Sequence, residues 1–333
     1  MYKLLYKTDD AIAYYMNILS DAIKSIGEDA IHVTDFSEIN PDDKVVTVLA
    51  RDFVKLWRRK GIHPVVNWFQ GIGPEETKLG LKQNGFSLKY ALFGLLLTEN
   101  ERFILRKSKL NLFVSNTMKE HYEKKYGYTK DNYFVMPCFN QLLQENAFTD
   151  LKYSKPTFVY TGSLAAWQCF EPMLKLFKDI KQQIHAAEMT IYTKEHDKAK
   201  ELLHKYGIEA NIKYVPYEQL NNEIKDYKYG FIIREDIEVN RVATPTKMNS
   251  YLANGIIPIY TDVVGAYKEN ISKMRFSIPL EPVTNNGIEK LYELENVEIL
   301  GNAVLNEYKG LFADYYNREK YVKLLADLLE AIK

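Results

Sequence analysis

The segment Thr157-Phe-Val-Tyr-Thr-Gly-Ser-Leu-Ala-Ala-Trp-Gln168 decides the fold. Its first five residues form a short run rich in β-branched and aromatic side chains, which is typical of a strand buried on both faces of a parallel sheet. The run ends at Gly162-Ser163, where glycine lets the backbone approach a ligand closely and nearby N–H groups can receive an anion. The polar stretch before it, from about Gln141 to Pro156, lacks strand periodicity and predicts a junction between two domains.

Eleven further runs of the same kind lie on either side of this one. They are Tyr2–Tyr6, Ile31–Val33, Val45–Leu49, Val65–Phe69, Leu110–Ser115, Tyr133–Met136, Met189–Tyr192, Ile212–Val215, Gly230–Ile233, Ile256–Tyr260 and Phe276–Ile278. The segments between them have helical periodicity, with N-caps offered by Thr8, Asp9 and Asp10 and glycines suited to C-caps at 27, 61, 127, 207 and 255. This alternation predicts an α/β protein with two doubly wound parallel sheets.

The length of 333 residues suffices for two domains of roughly 150 residues each. We expect a first domain over residues 1–150 and a second over 151–315. The last helix, about 316–333, has one apolar stripe that includes Leu324, Leu325 and Leu329, which predicts that it docks on the protein. Because ligands of doubly wound sheets bind at the carboxyl ends of the strands, two such domains predict a ligand site in a cleft between those ends.

The composition argues against several classes of protein. Lys+Arg and Asp+Glu balance at 44 each, unlike a globally basic nucleic-acid-binding protein. The histidines lack metal-ligand spacing, and two cysteines, Cys138 and Cys169, are too few for a disulfide framework, so we interpret both as small buried side chains. The sequence has no P-loop and no G-x-G-x-x-G. The first ten residues turn acidic at Asp9, which argues against a secretory signal, and the longest apolar stretch, 90–97, is too short to span a bilayer. We therefore expect a cytoplasmic protein or one attached to a membrane from one side.

Gln70, Gly71 and Glu75 are candidate site residues in the first half of the chain. They belong to the segment Val66-Asn-Trp-Phe-Gln-Gly-Ile-Gly-Pro-Glu-Glu76, in which a predicted strand runs directly into a Gly-x-Gly-Pro turn. This position predicts that they face the cleft. The alternative is a turn followed by a helix, with Pro74 at its first position and acids in its first turn.

Arg234 is a candidate in the second half, because it ends the apolar run Tyr229-Gly-Phe-Ile-Ile233. A guanidinium at the carboxyl edge of a sheet suits a phosphate. The alternative is a structural ion pair with Glu235, Asp236 or Glu238. Trp167 is either a wall of the cleft or part of the core.

Lys247 lies near the predicted start of a helix, within Val239-Asn-Arg-Val-Ala-Thr-Pro-Thr-Lys-Met-Asn-Ser-Tyr-Leu-Ala-Asn-Gly255. Thr244 fits the N-cap, Pro245 the first turn and Gly255 the C-terminal stop. The positive end of the helix dipole repels a lysine there, and a bound phosphate would neutralise both charges. The alternative is a lysine that simply reaches solvent.

The segment Arg51-Asp-Phe-Val-Lys-Leu-Trp-Arg-Arg-Lys60 carries five cations, with apolar residues among them. Further cations follow at Lys78, Lys82, Lys89, Arg102, Arg106, Lys107 and Lys109. This pattern indicates either peripheral contact of 51–60 with an anionic bilayer or a solvated helix face.

Several of these motifs together resemble a known family. They are Thr161-Gly-Ser-Leu164, Trp167-Gln168, Arg234, Pro245-Thr-Lys247 and Tyr251-Leu-Ala-Asn-Gly-Ile-Ile-Pro258, with Trp68–Glu76 in the first half. The chain resembles the GT-B glycosyltransferases, and most closely the family-4-like enzymes of bacterial capsule and surface polysaccharide synthesis. The resemblance implies two Rossmann-like domains facing a cleft and a C-terminal helix that crosses back to the first domain. It also implies a nucleotide-diphosphate sugar as co-substrate, no cofactor or obligatory metal, and transfer with retention.

By the matching motif positions, the resemblance places Gly162 and Ser163 near the diphosphate and Val215 and Tyr217 near the base. The donor-binding candidates are Gly162, Ser163, Trp167, Gln168, Val215, Tyr217, Arg234, Thr244, Pro245, Thr246, Lys247 and Ser250. Arg234 and Lys247 are also the catalytic candidates, with Arg241 a third cation. The chain departs from the family in two ways. Many members carry an arginine and a lysine near Ser163 and Gln168 and a glutamate at Ser250, and the usual two-glycine loop after the first strand is replaced by Tyr6-Lys-Thr-Asp-Asp10.

The sequence therefore predicts a glycosyltransferase that acts on a saccharide or lipid-linked acceptor, with no nucleic-acid partner. Two other hypotheses remain open. One is a sugar-nucleotide epimerase or hydrolase on the same architecture. The other is a binding protein that has kept the fold and lost turnover.

Overall fold

The computed structural model describes residues 1–7, 10–85 and 87–332, and the chain divides into two compact units. The first comprises Met1–Asn140, Arg241–Ala243 and the chain from Asn317 onward. The second comprises Gln141–Asn240 and Thr244–Tyr316. Each unit is built on one parallel sheet.

The first sheet has the strand order β2-β1-β3-β4-β5-β6, with every pair parallel. Its strands are β1 (Tyr2–Leu5), β2 (Ala30–Val33), β3 (Lys44–Thr47), β4 (Val66–Phe69), β5 (Leu110–Phe113) and β6 (Tyr133–Val135). All residues of β1, β4 and β5 are buried, including Lys3, Asn67 and Asn111, so these strands are covered on both faces.

The second sheet has the strand order β12-β11-β10-β7-β8-β9, again with every pair parallel. Its strands are β7 (Thr157–Thr161), β8 (Glu188–Tyr192), β9 (Asn211–Lys213), β10 (Tyr229–Ile232), β11 (Ile257–Thr261) and β12 (Ile278–Leu280). From β7 the chain winds outward through β8 and β9, and then returns to β10 on the other side of β7. The topological switch point of this sheet therefore lies between β7 and β10.

Helices connect the strands in both units. The first unit contains α1 (Asp10–Ser25), α2 (Ala50–Lys55) with a π-helical continuation (Leu56–Lys60), α3 (Gly73–Asn84), α4 (Leu88–Lys107) and α5 (Asn116–Tyr126). The second contains α6 (Asp150–Tyr153), α7 (Phe170–Gln183), α8 (His196–Tyr206) and α9 (Tyr217–Ile224). After α10 (Glu238–Val242) follow α11 (Thr246–Ala253), α12 (Gly265–Asn270), α13 (Glu289–Glu295), α14 (Gly301–Asp314) and, in the first unit, α15 (Arg318–Ala331).

All twelve predicted strands are confirmed, with bounds that differ by at most two residues. The predicted C-terminal glycines are confirmed as well, since Gly27, Gly61, Gly127, Gly207 and Gly255 all have positive φ. Of the predicted N-caps of α1, Thr8 and Asp9 lie outside the described residues. No helix in the described ranges is long and apolar enough to cross a membrane.

The last helix, α15, packs against α1. It begins where the Asn317 side chain accepts the N–H of Lys320 at 2.9 Å, and Arg318 forms an ion pair with Asp21 on α1. Leu325 and Leu329 are buried, as the apolar stripe predicted, whereas Leu324 is 40% exposed and does not belong to the docked side.

Candidate functional site

The switch point of the second sheet brings the main candidates together. Gly162 directly follows β7, Arg234 follows β10 by two residues, and Lys247 is the second residue of α11. Ligands of doubly wound sheets bind at this position, because the two neighbouring loops diverge there and leave an open crevice.

Helix α11 is held against the sheet by Tyr251. Its ring packs so closely on β10 that a Cβ on Gly230 would lie 2.5 Å from a ring carbon. Its hydroxyl accepts the N–H of Thr161, at the end of β7, at 3.2 Å. These contacts fix the start of α11, and thus Lys247, beside both strands of the switch point.

The Arg234 side chain is buried, with 6% of the residue exposed. The backbone N–H of Arg234 donates to Thr261 Oγ1 at 2.8 Å, and Nη1 of the guanidinium donates to the carbonyl of Trp167 at 2.6 Å. Its Nε is buried and has no acceptor among the described residues. No carboxylate in that part of the chain pairs with this guanidinium, so the predicted alternative of an ion pair with the acids that follow it is not observed.

The ammonium of Lys247 lies close to the side chains of Gln168 and Tyr160 and to the backbone of Gly162. Its Nζ donates to Gln168 Oε1 at 3.2 Å and lies 4.2 Å from the centroid of the Tyr160 ring. The same atom lies 3.4 Å from the position that a Cβ on Gly162 would occupy. The residue is partly buried, so the alternative of a lysine that reaches freely into solvent is wrong.

The two cations are electrostatically unsatisfied. Burial, and then repulsion by Arg234, hold the pKa of Lys247 well below its usual value, and burial also lowers the pKa of Arg234. Within the described ranges neither side chain forms an ion pair. A desolvated cation without a counter-charge is unfavourable, so an anion bound here would gain from both charges and from the unpaired Nε of Arg234.

The turn after β7 offers fewer free backbone N–H groups to an anion than the sequence predicted. Gly162 has a φ of 130°, and its N–H donates to the carbonyl of Tyr192 at 2.9 Å. The N–H of Leu164 donates to Glu195 Oε2 at 2.5 Å. These two N–H groups therefore have protein acceptors in place of an anion, and the position of Gly162 and Ser163 near a diphosphate stays a prediction. Ser163 is exposed, and its carbonyl accepts the hydroxyl of Tyr160 at 2.7 Å.

Trp167 is not a core residue, because 47% of it is exposed. Its main chain nevertheless belongs to the site through the bond from Arg234, and the next residue, Gln168, accepts from Lys247. The short 3₁₀ segment Ala166–Gln168 thus contacts both cations.

The predicted cap of α11 is wrong by one residue. The N-cap is Pro245, and Thr244 precedes it as a buried residue. The reason is that Pro245 has an extended ψ of 125° and its carbonyl accepts the hydroxyl of Tyr267 at 2.7 Å, which holds this peptide unit outside the helix. Thr246 is therefore the first helical residue, and Ser250 lies buried in the next turn.

The remaining second-half candidates are dispersed. Val215 is half-buried in the connection after β9, and Tyr217 is the first residue of α9, with a side chain outside the described set. Arg241 is exposed and belongs to the first unit.

The first unit has a pocket of about 380 Å³ at the carboxyl ends of β3 and β4. It is lined by residues of β4, by residues that follow β3 and β4, and by residues of α3 and α4: Val48, Leu49, Ala50, Asn67, Phe69, Gln70, Gly71, Gly73, Glu76, Leu97 and Glu101. Two of the three candidates from this half, Gln70 and Gly71, thus line it.

Glu75, the third candidate, is instead part of a charged network. Its carboxylate lies 2.7 Å from Lys125 Nζ and 3.7 Å from His121 Nε2. Burial raises its pKa, but the adjacent His121 ring and the hydrogen bond and charge of Lys125 outweigh burial and lower the pKa to about 2. Lys125 also pairs with Glu101 at 3.2 Å, and Glu101 accepts the Tyr126 hydroxyl at 2.7 Å. The sequence signalled none of these partners, because 24 or more positions separate them from Glu75 or Glu101 along the chain.

Some of the apolar side chains of residues 51–60 are buried in the first unit. Phe53 and Leu56 are fully buried, and the Trp57 ring stacks on Phe53 and on His63.

The cysteines differ from each other. Cys169 is buried, as predicted, and Cys138 is intermediate in exposure. Among the residues that the structure describes, no group of three or more His, Cys, Asp or Glu side chains is arranged to hold a metal ion.

Comparison with known proteins gives a structural likeness only. No family model matches the sequence, and no curated protein matches it. Sucrose-phosphate synthase from Thermosynechococcus elongatus superposes with a TM-score of 0.71 at 12% identity, over 99% of this chain and 98% of that one. HepE from Anabaena, solved with UDP and glucose, gives a TM-score of 0.67 at 11% identity, over 99% of both chains.

A variant of TarM from S. aureus, solved with Fondaparinux, alpha-GlcNAc-glycerol and UDP, gives a TM-score of 0.63 at 10% identity over 88% of this chain. This chain covers 57% of that protein, little more than half of its length. These likenesses, together with the two six-stranded parallel sheets, confirm the predicted GT-B fold of glycosyltransferases.

Proposed function

We propose that the protein is a glycosyltransferase that moves a sugar from a nucleotide-diphosphate sugar to a saccharide or lipid-linked acceptor in surface polysaccharide synthesis. One observation carries the proposal. Arg234 and Lys247 lie at the switch point of the second sheet with no carboxylate partner in the described part of the chain, and they contact the adjacent residues Trp167 and Gln168. The UDP in the TarM and HepE structures supports a nucleotide as the ligand.

The chemistry follows from the leaving group. When the bond between sugar and phosphate breaks, its electron pair stays on the phosphate oxygen. The acceptor hydroxyl oxygen bonds to the anomeric carbon, and its proton leaves with the nucleoside diphosphate. Arg234 and Lys247 would stabilise the charge that develops on the diphosphate, and removal of one such preorganised group costs about 2–4 kcal/mol in the barrier.

Two finer features belong to the same proposal. Fixed cations beside the diphosphate can stabilise it without a divalent ion, so we propose that transfer is metal-independent. We propose retention at the anomeric carbon from the resemblance of the motifs around Gly162 and Lys247 to those of retaining GT-B enzymes.

The binding step is tested by calorimetric titration with UDP, GDP, CDP and ADP. We expect one of them to bind selectively. Arg234→Ala and Lys247→Ala should each weaken that ligand at least about tenfold, which corresponds to 1.4 kcal/mol. The matched control is Lys200→Ala, which removes an exposed lysine from α8 and should leave the affinity unchanged. Unchanged affinity in both site variants would remove Arg234 and Lys247 from the site.

The lowered pKa of Lys247 supplies a second measurement. A bound diphosphate raises this pKa, so binding should take up a proton and weaken as the pH rises. Calorimetry in buffers of different ionisation enthalpy measures the uptake. Lys247→Arg keeps its charge at every working pH and should bind without that uptake.

Turnover is tested with the preferred nucleotide sugars and a membrane extract as the source of acceptors. Release of the nucleoside diphosphate only when the extract is present supports the transferase. Release of free sugar without it indicates a hydrolase. Nucleotide binding without any release would favour a non-catalytic binding protein. This alternative is specific because Ser163 and Gln168 are uncharged at positions near which many GT-B enzymes carry an arginine and a lysine.

A further inference from the structure

The first half of α4 exposes an unusual density of large apolar side chains. Six of them are between 48% and 66% exposed: Leu88, Tyr90, Leu92, Phe93, Leu95 and Leu96. The buried residues of this helix all lie in its second half, beginning at Asn100. A soluble surface rarely leaves so many neighbouring apolar side chains uncovered unless they bind something.

The apolar surface continues into a groove between α3 and α4. This groove, of about 490 Å³, is lined by the apolar and small residues Gly73, Thr77, Gly80, Leu81, Gly85, Ser87, Tyr90, Phe93 and Leu97, with Glu76 at one end. On helical geometry Leu88, Leu92, Leu95 and Leu96 share the opposite side of α4 from Tyr90, Phe93 and Leu97. We call the six exposed side chains and this groove the hairpin face.

The hairpin face has more cations than acids, because Glu76 is the one acid among the described residues that line its groove. Between Thr77 and Thr98 the sequence contains three lysines, at 78, 82 and 89, and no aspartate or glutamate. All three lysines are exposed. A chain whose charges balance overall thus places apolar side chains and cations together at one surface.

We propose that the hairpin face docks on the surface of an anionic lipid bilayer. Leucines and aromatic rings insert at the boundary between headgroups and acyl chains, and lysines beside them attract anionic headgroups. A second copy of this chain fits less well, because a symmetric contact through this face would bring the same three lysines opposite one another. Residues 51–60 fit less well too, since Phe53 and Leu56 are buried there.

The groove also leads toward the candidate acceptor pocket. Gly73, Glu76 and Leu97 line both the groove and the pocket that contains Gln70 and Gly71. A docked hairpin would therefore bring the bilayer next to that pocket, where a lipid-linked acceptor would be used. This last step rests on the proposed function, whereas the docking itself does not.

Co-sedimentation of the full chain with lipid vesicles tests the docking. We expect the protein to bind vesicles that contain about one-third phosphatidylglycerol several-fold more tightly than vesicles of phosphatidylcholine alone, with the difference shrinking at high salt. Lys78→Gln/Lys82→Gln/Lys89→Gln should weaken binding at least about tenfold. Lys200→Gln/Lys225→Gln/Lys273→Gln removes three exposed lysines from the second unit and is the matched control.

A second variant, Leu92→Ser/Leu95→Ser/Leu96→Ser, tests the apolar part and should abolish sedimentation while far-UV circular dichroism and nucleotide binding stay unchanged. The proposal is overturned if the wild-type chain does not bind anionic vesicles, or if both hairpin variants bind them like wild type. It is also overturned if sedimentation velocity shows a dimer that the serine variant dissociates. Failure here leaves the nucleotide titrations untouched, so the two proposals can fail separately.

Discussion

The ammonium of Lys247 lies 3.4 Å from the point where a Cβ on Gly162 would stand. The lysine thus rests over a backbone that has a φ of 130°, a conformation that residues with a side chain rarely adopt. The absence of a side chain at this turn leaves room for the cation and for whatever anion the cation binds.

Gly162→Ala should therefore act on both stability and binding. We expect the free energy of unfolding to fall by about 1–3 kcal/mol from backbone strain, and the nucleotide affinity to fall because the strained turn shifts the backbone beside the Lys247 ammonium. Urea denaturation and calorimetry measure the two effects. The control, Gly310→Ala, lies in α14 with open space around it and should stabilise the protein by about 0.5–1 kcal/mol. A stable Gly162→Ala protein with full affinity would contradict this account.

Gly230→Ala should be destabilising because its methyl group would overlap the Tyr251 ring. Overpacking of a filled core costs about 1–3 kcal/mol, which urea denaturation detects. The double variant Gly230→Ala/Tyr251→Leu should lose less stability than the sum of its two single variants, since leucine leaves room for the methyl group. Simple additivity would show that the close approach of α11 to β10 is not the cause.

Glu75→Gln should lower stability at neutral pH. The folded pKa of about 2 lies below the ordinary value of 4.5, so the stabilisation by His121 and Lys125 is fully present above pH 4.5 and is lost as the pH falls toward 2. We expect a loss of about 2–3 kcal/mol at pH 7 that disappears over that acid range. Denaturation curves at several pH values measure it. Glu99→Gln, on an exposed carboxylate, should change stability by less than about 0.5 kcal/mol.

Lys152 should make stability rise with pH as well, but in an alkaline window. It is buried, its Nζ donates to the carbonyls of Asn254 and Ala147, and burial lowers its pKa from 10.5 to about 7. Between pH 7 and 10.5 the unfolded chain holds the proton that the folded chain has lost, so stability rises with pH in that window.

The stability of the wild-type protein relative to Lys152→Met should therefore rise by up to about 1.4 kcal/mol per pH unit above pH 7. The exposed Lys155→Met variant should show no such trend relative to wild type. A flat difference for Lys152→Met would mean that the ammonium stays charged throughout.

The sequence by itself determined the twelve strands, the α/β class and the positions of Gly162, Arg234 and Lys247 along the chain. It could do so because a strand buried on both faces appears as a short apolar run, and because strand ends and helix starts follow from local composition. These features depend on neighbours within a few residues, which any reader of the chain can see.

Only the tertiary structure decided what those residues contact. Arg234 donates to the Trp167 carbonyl and has no carboxylate partner among the described residues. Lys125 joins Glu75 to Glu101 from another helix, and Tyr267 binds the carbonyl of Pro245 at the start of α11. The exposure of the apolar first half of α4 was also decided by the tertiary structure, because its sequence suits a buried helix as well as an exposed one. Burial and long-range pairing depend on how the whole chain packs, so no local pattern contains them.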